Sequence, residues 1–541
     1  MLLVMIILPL AFGLALLVPV PAFNKKRNVH LVALLGTLGA LAVSLGVAWQ
    51  FDWSQPAHMA LSGSVRWIDG FGLSFSYGID SISLWLVLLT TCLMPLVVIG
   101  SYNSLSEEVG PRRREFYFWM LLLETAMLGT FVATDIIFFY ICFEFTLVPL
   151  YFLIGIFGSD DRLKAAQVFF FYTFTGSMLV FAGVLYVAWV AASADGIWTF
   201  QITELTRAAQ GMSVTEQGWV LASLLAGFAV KVPLFPFHTW LPLAHTEAPT
   251  SGSVILAGVL LKLGTYGLLR LAIPMCPTAV VAFAPTIGVL AVVGILYTAL
   301  ICWVQTDIKR LIAYSSVSHL GFCVLGMFAL TTEGMSGSVM YMINHGISTG
   351  ALFLCVGMIY ERFHTRRMNQ LGGLAKVLPV WSFFMVFFCL ASVGVPTLNG
   401  FVGEFLTLIG TFSSKIYGPS YAVAAGFGMI VAAIYILYMV GRTIFGPLKL
   451  PDSHGVEDGH EPADLNLREI VTLTPLAVAC LVLGLWPTPM LRSIDPPVNM
   501  LKAPALGVLE HLTPDDRLVV DQRQVEGLRI EDRYGLQENE K

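Results

Sequence analysis

Charge is what this sequence has least of. Asp, Glu, Lys and Arg make up 12% of its 541 residues, against 57% hydrophobic residues. The mean hydropathy of +0.78 lies far above that of a water-soluble domain. Such a chain divides into membrane-crossing segments of about 20 residues rather than into soluble domains. No basic patch is present to bind nucleic acid. The net charge of −5 says little, because most charges lie between the apolar runs. The eight cysteines are scattered, none in C-x-x-C spacing and nearly all inside apolar runs. That argues against iron–sulfur ligation and against a disulfide framework. The phosphate-binding P-loop, the dinucleotide glycine fingerprint and the His and Cys patterns of metal sites are also missing. No cofactor and no metal is therefore expected on this chain, and any redox or phosphoryl chemistry that drives it belongs to other chains. Met1 to Val20 lacks a basic n-region and is too long and uniformly apolar for a simple signal peptide, so it reads as the first span.

What the sequence has is apolar runs, at roughly 1–21, 29–50, 80–101, 114–132, 134–157, 166–192, 217–243, 252–274, 279–303, 310–330, 336–361, 376–411, 421–446 and 467–490. They predict an all-α polytopic membrane protein of about 14 transmembrane helices. Alternating ten-residue strands are not seen, which rules out a β-barrel. Basic residues follow span 1 (Lys25, Lys26, Arg27), precede span 4 (Arg112, Arg113, Arg114) and lie between spans 5 and 6 (Arg162, Lys164). More precede span 10 (Lys309, Arg310) and lie between spans 11 and 12 (Arg362, Arg366, Arg367, Lys376). All five loops fall on one side, and the positive-inside rule makes that side cytoplasmic. Both termini then face the other side.

The centre of the chain is Phe228-Ala229-Val230-Lys231-Val232-Pro233-Leu234-Phe235-Pro236-Phe237-His238. An amine inside a membrane helix costs roughly 2.5–3.5 kcal/mol and usually marks an ion path. Pro233 removes a backbone donor beside it, so span 7 should break. A snorkelling lysine is the competing reading, but apolar residues flank Lys231 for more than a turn on both sides. Val393-Gly394-Val395-Pro396 on span 12 echoes Val230-Lys231-Val232-Pro233, and Asn399-Gly400 marks a second break. Five spans separate the two, and an odd offset inverts the second unit relative to the first. The expected organisation is 1–110 (helices 1–3), 111–275 and 276–447 (two inverted five-helix repeats), 448–490 (loop and helix 14) and 491–541 (polar C-terminal tail).

Titratable groups recur within the spans: Glu144 on span 5, Lys231, Lys262 on span 8, His319 on span 10, His345 on span 11 and Glu404 after the break in span 12. Lys231 is the natural partner for Glu144, as a movable pair or as a static structural one. Each histidine suits proton relay or a satisfied packing role. The row as a whole suits proton relay better than a bulky solute. Glu124 and Asp135 are outer candidates, and His238 beside the break is a further one.

Phe235-Pro236-Phe237-His238-Thr239-Trp240-Leu241-Pro242, followed by Ala244-His245-Thr246-Glu247-Ala248-Pro249 and Ser251-Gly252-Ser253-Val254, resembles the signature of the antiporter-like subunits of respiratory complex I. Ala313-Tyr314-Ser315-Ser316-Val317-Ser318-His319 resembles a second signature segment of that family. The resemblance covers roughly residues 75–450. Glu404, where the sibling subunits L and N usually carry lysine, makes the chain most similar to the subunit M, or chain 4, branch. The resemblance implies a subunit of a proton-pumping NADH:quinone oxidoreductase, a translocase in the bacterial inner membrane. NADH, FMN, iron–sulfur clusters and quinone would be bound by other chains of the complex, with subunits L and N and lipids as neighbours. It further implies that Glu144, Lys231, Lys262 and Glu404 form a hydrophilic axis with His319 on it. A subunit of a multisubunit cation/proton antiporter and a non-transporting scaffold are the alternatives. No function is carried onto the tail after Pro514.

Overall fold

The computed structural model describes residues 1–68, 72–104, 110–451 and 463–511. Every apolar run is helical: α1 (Leu2–Leu17), α2 (Lys26–Gln50), α3 (Ser81–Gly100), α4 (Arg113–Val132), α5 (Ile136–Phe145), α6 (Leu147–Phe157), α7 (Arg162–Asp195), α8 (Ile202–Gln210), α9 (Val214–Lys231) and α10 (Trp240–Glu247). There follow α11 (Thr250–Met275), α12 (Pro277–Trp303), α13 (Ile308–Phe328), α14 (Thr332–Phe363), α15 (Pro379–Val393), α16 (Asn399–Phe412), α17 (Pro419–Thr443), α18 (Leu467–Leu485) and α19 (Thr488–His511). Among the described residues, 11 helical segments are long and apolar enough to cross a membrane, α5 and α6 counting as one. The other three apolar runs are the short α1 and the divided pairs α9–α10 and α15–α16.

Burial sorts these helices into layers. The apolar windows of α11 and α14 are 100% buried and that of α13 is 94% buried, whereas those of α2 and α18 are 33% buried. The first three form the centre, and the last two leave most of their surface exposed. Ends of the central helices are tied by polar contacts on two opposite faces. On one face Lys26 donates to Asn103 (2.8 Å), Arg114 to the Phe23 carbonyl (3.0 Å), Lys309 to the Ala248 carbonyl (2.5 Å) and Arg366 to the Thr246 carbonyl (2.9 Å). Four of the five basic segments singled out in the sequence take part in these contacts.

The opposite face holds two elements that the sequence reading did not contain. The connection after α2 forms an antiparallel hairpin of β1 (Ala60–Ile68) and β2 (Leu73–Ile79). Its alternating Leu73-Ser74-Phe75-Ser76-Tyr77 has the two-residue period of a strand, which a reading by hydropathy alone passes over. The polar tail expected over 491–541 is corrected in its first part, because Thr488–His511 is a helix. Met490, Ile494, Val498, Leu501, Ala505 and Leu509 repeat every three to four residues and are buried. The helix is held at the ends of α3 and α14, where Ser81 donates to the Ser493 carbonyl (2.6 Å) and Lys502 to Thr332 (2.6 Å). Residues 512–541, the remainder of that tail, lie outside the described residues.

Candidate functional site: a buried polar line

The two breaks expected from the prolines are present. α9 ends at Lys231, and the chain resumes as helix only at Trp240. The carbonyls exposed there find partners: Leu234 N–H donates to Ala229 (2.8 Å) and the Trp240 indole to Val230 (2.9 Å). α15 ends at Gly394 with φ +78°, a left-handed cap that suits glycine. Val395 N–H reaches back to Leu390 (3.2 Å), the same five-residue span that closes the first break. Thr397 has φ +81°, a costly conformation for a β-branched residue that the surrounding structure must hold. Two further interruptions were not anticipated. Span 5 is divided at Thr146, where Pro149 cannot donate to the Phe145 carbonyl. α11 contains π-helical turns at Leu256–Leu260 and Leu268–Ala272, a feature frequent at functional sites.

Lys231 is buried, 2% exposed, which excludes snorkelling. Its amine sits at the C-terminal end of α9, where the helix dipole favours a cation. It donates to Thr146 Oγ1 at 3.1 Å and lies 4.8 Å from the centre of the Phe143 ring. The pairing with Glu144 expected from the sequence is one of charge rather than contact. No ion pair joins the two, and the Thr146 hydroxyl, one turn boundary along, takes the lysine instead. Their charges still act on each other. Gly264 of α11 lets that helix close on this point, since a Cβ there would stand 3.0 Å from Lys231 Cβ.

Beyond Gly264 the groups join. Lys262 Nζ donates to the Ala257 carbonyl, within the first π turn, and lies 2.7 Å from His345 Nδ1. The rings of His345 and His319 are 5.7 Å apart. His319 Nδ1 meets the Tyr341 hydroxyl, and that hydroxyl donates to Glu404 Oε1. Directly, His319 Nδ1 and Glu404 Oε1 are 3.5 Å apart. Ser392 approaches His319 Nε2 at 3.3 Å. Asn344 and Asn399 exchange side-chain-to-carbonyl bonds of 2.6 and 3.3 Å, pinning α14 to the start of α16 beside the line. The structure thus brings Lys262, His345, His319 and Glu404 together and sets Lys231 with Glu144 as a second group.

Tyr341, Ser392, Thr146 and His245 escaped the sequence reading. Tyr341 was legible in one respect, because it stands four residues before His345 and so shares its helix face. His245 stacks flat on Phe353, 4.7 Å between centroids, with neither ring nitrogen partnered. Among the outer candidates, Glu124 is fully buried with neither carboxylate oxygen partnered. His238 packs beside Phe235 and Tyr297 at the break, with Nδ1 unpartnered. Asp135 is the N-cap of α5, accepting from Ile137 (2.8 Å) and Phe138 (3.1 Å), which is a structural role. Burial pushes its carboxyl up to about 6 despite those bonds. A second missed pair lies at the other end of α11, where Arg270 meets Asp80, and both are buried. Buried polar atoms without a protein partner ordinarily bond ordered water. Glu144 Oε1, Glu404 Oε2, His345 Nε2 and Thr407 Oγ1 are such atoms along the line. Lys262, His345, His319, Tyr341 and Glu404 form a string across α11, α14, α13 and α16, hydrogen-bonded except between the two histidine rings.

Comparison with known proteins gives the family. Residues 133–446 match the family described as NADH:quinone oxidoreductase/Mrp antiporter, TM, and residues 7–130 match NADH-ubiquinone oxidoreductase chain 4, amino terminus. The NADH-quinone oxidoreductase subunit M of Rhodobacter capsulatus is 39% identical over 485 residues, covering 88% of this chain and 90% of that one. A chain of respiratory complex I from Thermus thermophilus superposes with a TM-score of 0.81 at 29% identity, covering 93% of this chain and 100% of that one. A chain of the Mrp complex from Dietzia sp. shares the fold, with a TM-score of 0.76 at 20% identity over 93% of this chain and 97% of that one. The chain is a polytopic membrane protein that belongs to the subunit M, or chain 4, family of NADH:quinone oxidoreductase.

Proposed function

We propose that this chain carries one proton path of a redox-driven pump, with Glu144, Lys231, Lys262, His345, His319 and Glu404 as its relay. Electron transfer from NADH to quinone takes place in other subunits, which bind FMN and the iron–sulfur clusters. The chain sits in the bacterial inner membrane between antiporter-like subunits L and N and lipid, with both termini on the non-cytoplasmic side. The two breaks belong to inverted five-helix units, 111–275 and 276–447.

One observation carries the reading: Lys262, His345, His319, Tyr341 and Glu404 form a near-continuous line of donors and acceptors across α11, α14, α13 and α16. A proton moved onto Lys262 raises the local positive charge and favours release from the histidines toward Glu404. Glu404 has one oxygen engaged by Tyr341 and one free of protein partners, so it can pass a proton onward to water. The Lys231 and Glu144 group, set apart behind Gly264, acts on Lys262 through its charge. A change in its pairing is felt along the line without a shared hydrogen bond. Glu404→Gln keeps the shape and removes the titration. In the complex reconstituted in vesicles with NADH and quinone, it should cut proton transfer severely and slow quinone reduction with it. Normal pumping by a fully assembled Glu404→Gln complex would remove Glu404 from the path.

A further inference from the structure

A crevice opens on the basic face between α3, α11, α14 and α18. Its lining includes Ser101, Ser104, Thr250, Ser251, Glu361 and Arg468. Two carboxylates stand at its rim, and they are held differently. Glu469 is locked: Arg362 grips it bidentately (2.9 and 2.8 Å), and it closes a capping box with Asn466. Glu361 is loosely held, its nearest cation being Arg468 at 3.9 Å, and its side chain is 25% exposed. The crevice narrows onto Ser251, whose hydroxyl is buried, 2% exposed, and has no protein partner. Deeper, His245 and Thr349 are fully buried with polar atoms likewise unpartnered. His245 is near enough to Lys262 and His345 for the charges to act on one another.

We infer that Glu361 is the proton-collecting group at the mouth of an intake path, which runs through the Ser251 crevice toward His245 and Lys262. The inference rests on the proposed relay function and names where protons enter it. The step is a simple transfer. The Glu361 carboxylate takes a proton from bulk water, becomes a carboxylic acid, and passes that proton to a water hydrogen-bonded to Ser251, which returns it to the carboxylate form. Glu361 suits this because it faces both solvent and crevice. Arg468, Arg362 and Lys26 are the cations that act on its carboxylate, with Glu469 the opposing charge. Glu469 does not suit it, since both of its oxygens are occupied by Arg362. An anion site is disfavoured by the two carboxylates on the rim.

The test uses the assembled complex in inverted vesicles, cytoplasmic face outward, driven by NADH and quinone. Glu361→Gln should slow coupled turnover and proton uptake by roughly tenfold or more at alkaline pH, where bulk protons are scarce. Glu361→Asp, or added formate as a small diffusible proton carrier, should restore much of it, which a structural role would not allow. Ser251→Ala should slow uptake without touching the rim ion pairs. In Ser104→Cys an impermeant thiol reagent added to the cytoplasmic face should block uptake, while the same reagent on Asn103→Cys, exposed outside the crevice, should not. Normal uptake by both Glu361→Gln and Ser251→Ala overturns the inference. So does a Glu361→Gln defect that neither formate nor aspartate relieves. If Glu361→Gln fails to assemble, Ser251→Ala and Ser104→Cys decide: normal uptake in the first and no block in the second overturn it. Lys262→Ala separates the two claims. Full pumping by that variant would sink the relay itself, whereas its failure beside normal Glu361→Gln and Ser251→Ala variants sinks only the mouth.

Discussion

Tyr341 is the sharpest point at which to break the line. Its hydroxyl touches both His319 Nδ1 and Glu404 Oε1, which are themselves 3.5 Å apart, too far for a good hydrogen bond. Tyr341→Phe removes that hydroxyl and leaves the ring, which packs against Phe322 and against Gly403, where a Cβ would stand 2.7 Å from Tyr341 Cβ. The gap of one oxygen atom is too small for a water to take its place without moving α16. A hydrogen bond to a charged group is worth about 1.5–3 kcal/mol. At about 1.4 kcal/mol per decade, losing it in the transfer step slows passage from His319 to Glu404 by roughly ten- to a hundredfold. The assay is NADH-driven proton uptake in vesicles, with quinone reduction and the amount of assembled complex measured in parallel. The expected result is normal assembly, strongly reduced uptake and slowed quinone reduction. Normal uptake at normal assembly would show that the proton does not pass through this hydroxyl.

Lys231→Arg should assemble and lose most pumping, because a guanidinium stays protonated and cannot cycle; full pumping would show that only a fixed charge is needed there. Asp80→Asn strands the buried Arg270 guanidinium and should destabilise the fold by about 3–5 kcal/mol. Adding Arg270→Gln should restore much of the loss, both read as assembled complex and as unfolding temperature. Asp135 is pushed up from 3.8 to about 6 by burial, so the folded chain binds its proton more tightly than the unfolded one. The stability this contributes is fully present below pH of about 4 and lost as pH rises through about 6. Asp135→Asn keeps the cap and should flatten that part of the stability–pH curve; an unchanged slope would assign it to another group.

The spans and the two proline breaks were legible because each rests on a local property: hydropathy over about 20 residues, or a proline inside an apolar run. The hairpin Ala60–Ile68 with Leu73–Ile79 and the helix Thr488–His511 were not, since both lie outside the apolar runs. Their signals are period two and period 3.6, which hydropathy averages away. For the site, the sequence supplies the titratable residues but not their pairing. Glu144 and Lys231 are apt partners by charge alone, yet the turn at Thr146 puts a hydroxyl in the lysine's reach instead. Tyr341 carries no charge and so drew no notice, although burial and position make it the link between two groups that were noticed. The π turns of α11 have no proline to announce them, and they place the Ala257 carbonyl against Lys262.

The same geometry weighs the alternatives against each other. A scaffold would retain buried polar groups only where they are satisfied, since each unpaired one costs stability. Here Glu404, Glu144, Glu124, His245 and His345 all keep at least one buried atom without a protein partner. Glu404 and His345 lie on helices that carry the line, Glu144 near Lys231 on α5, and Glu124 and His245 on α4 and α10. That distribution is expensive for a scaffold and necessary for a relay that carries water. The shared fold with the Mrp complex does not separate a pump subunit from an antiporter subunit. Glu404 does bear on it. An acid in the second broken helix leaves the line with a base at one end, Lys262, and an acid at the other. Between them stand His345, His319 and the Tyr341 hydroxyl. In the proposed relay that polarity would order a proton's passage toward Glu404 when Lys262 is charged, and Lys231 with Glu144 behind Gly264 would control that charge.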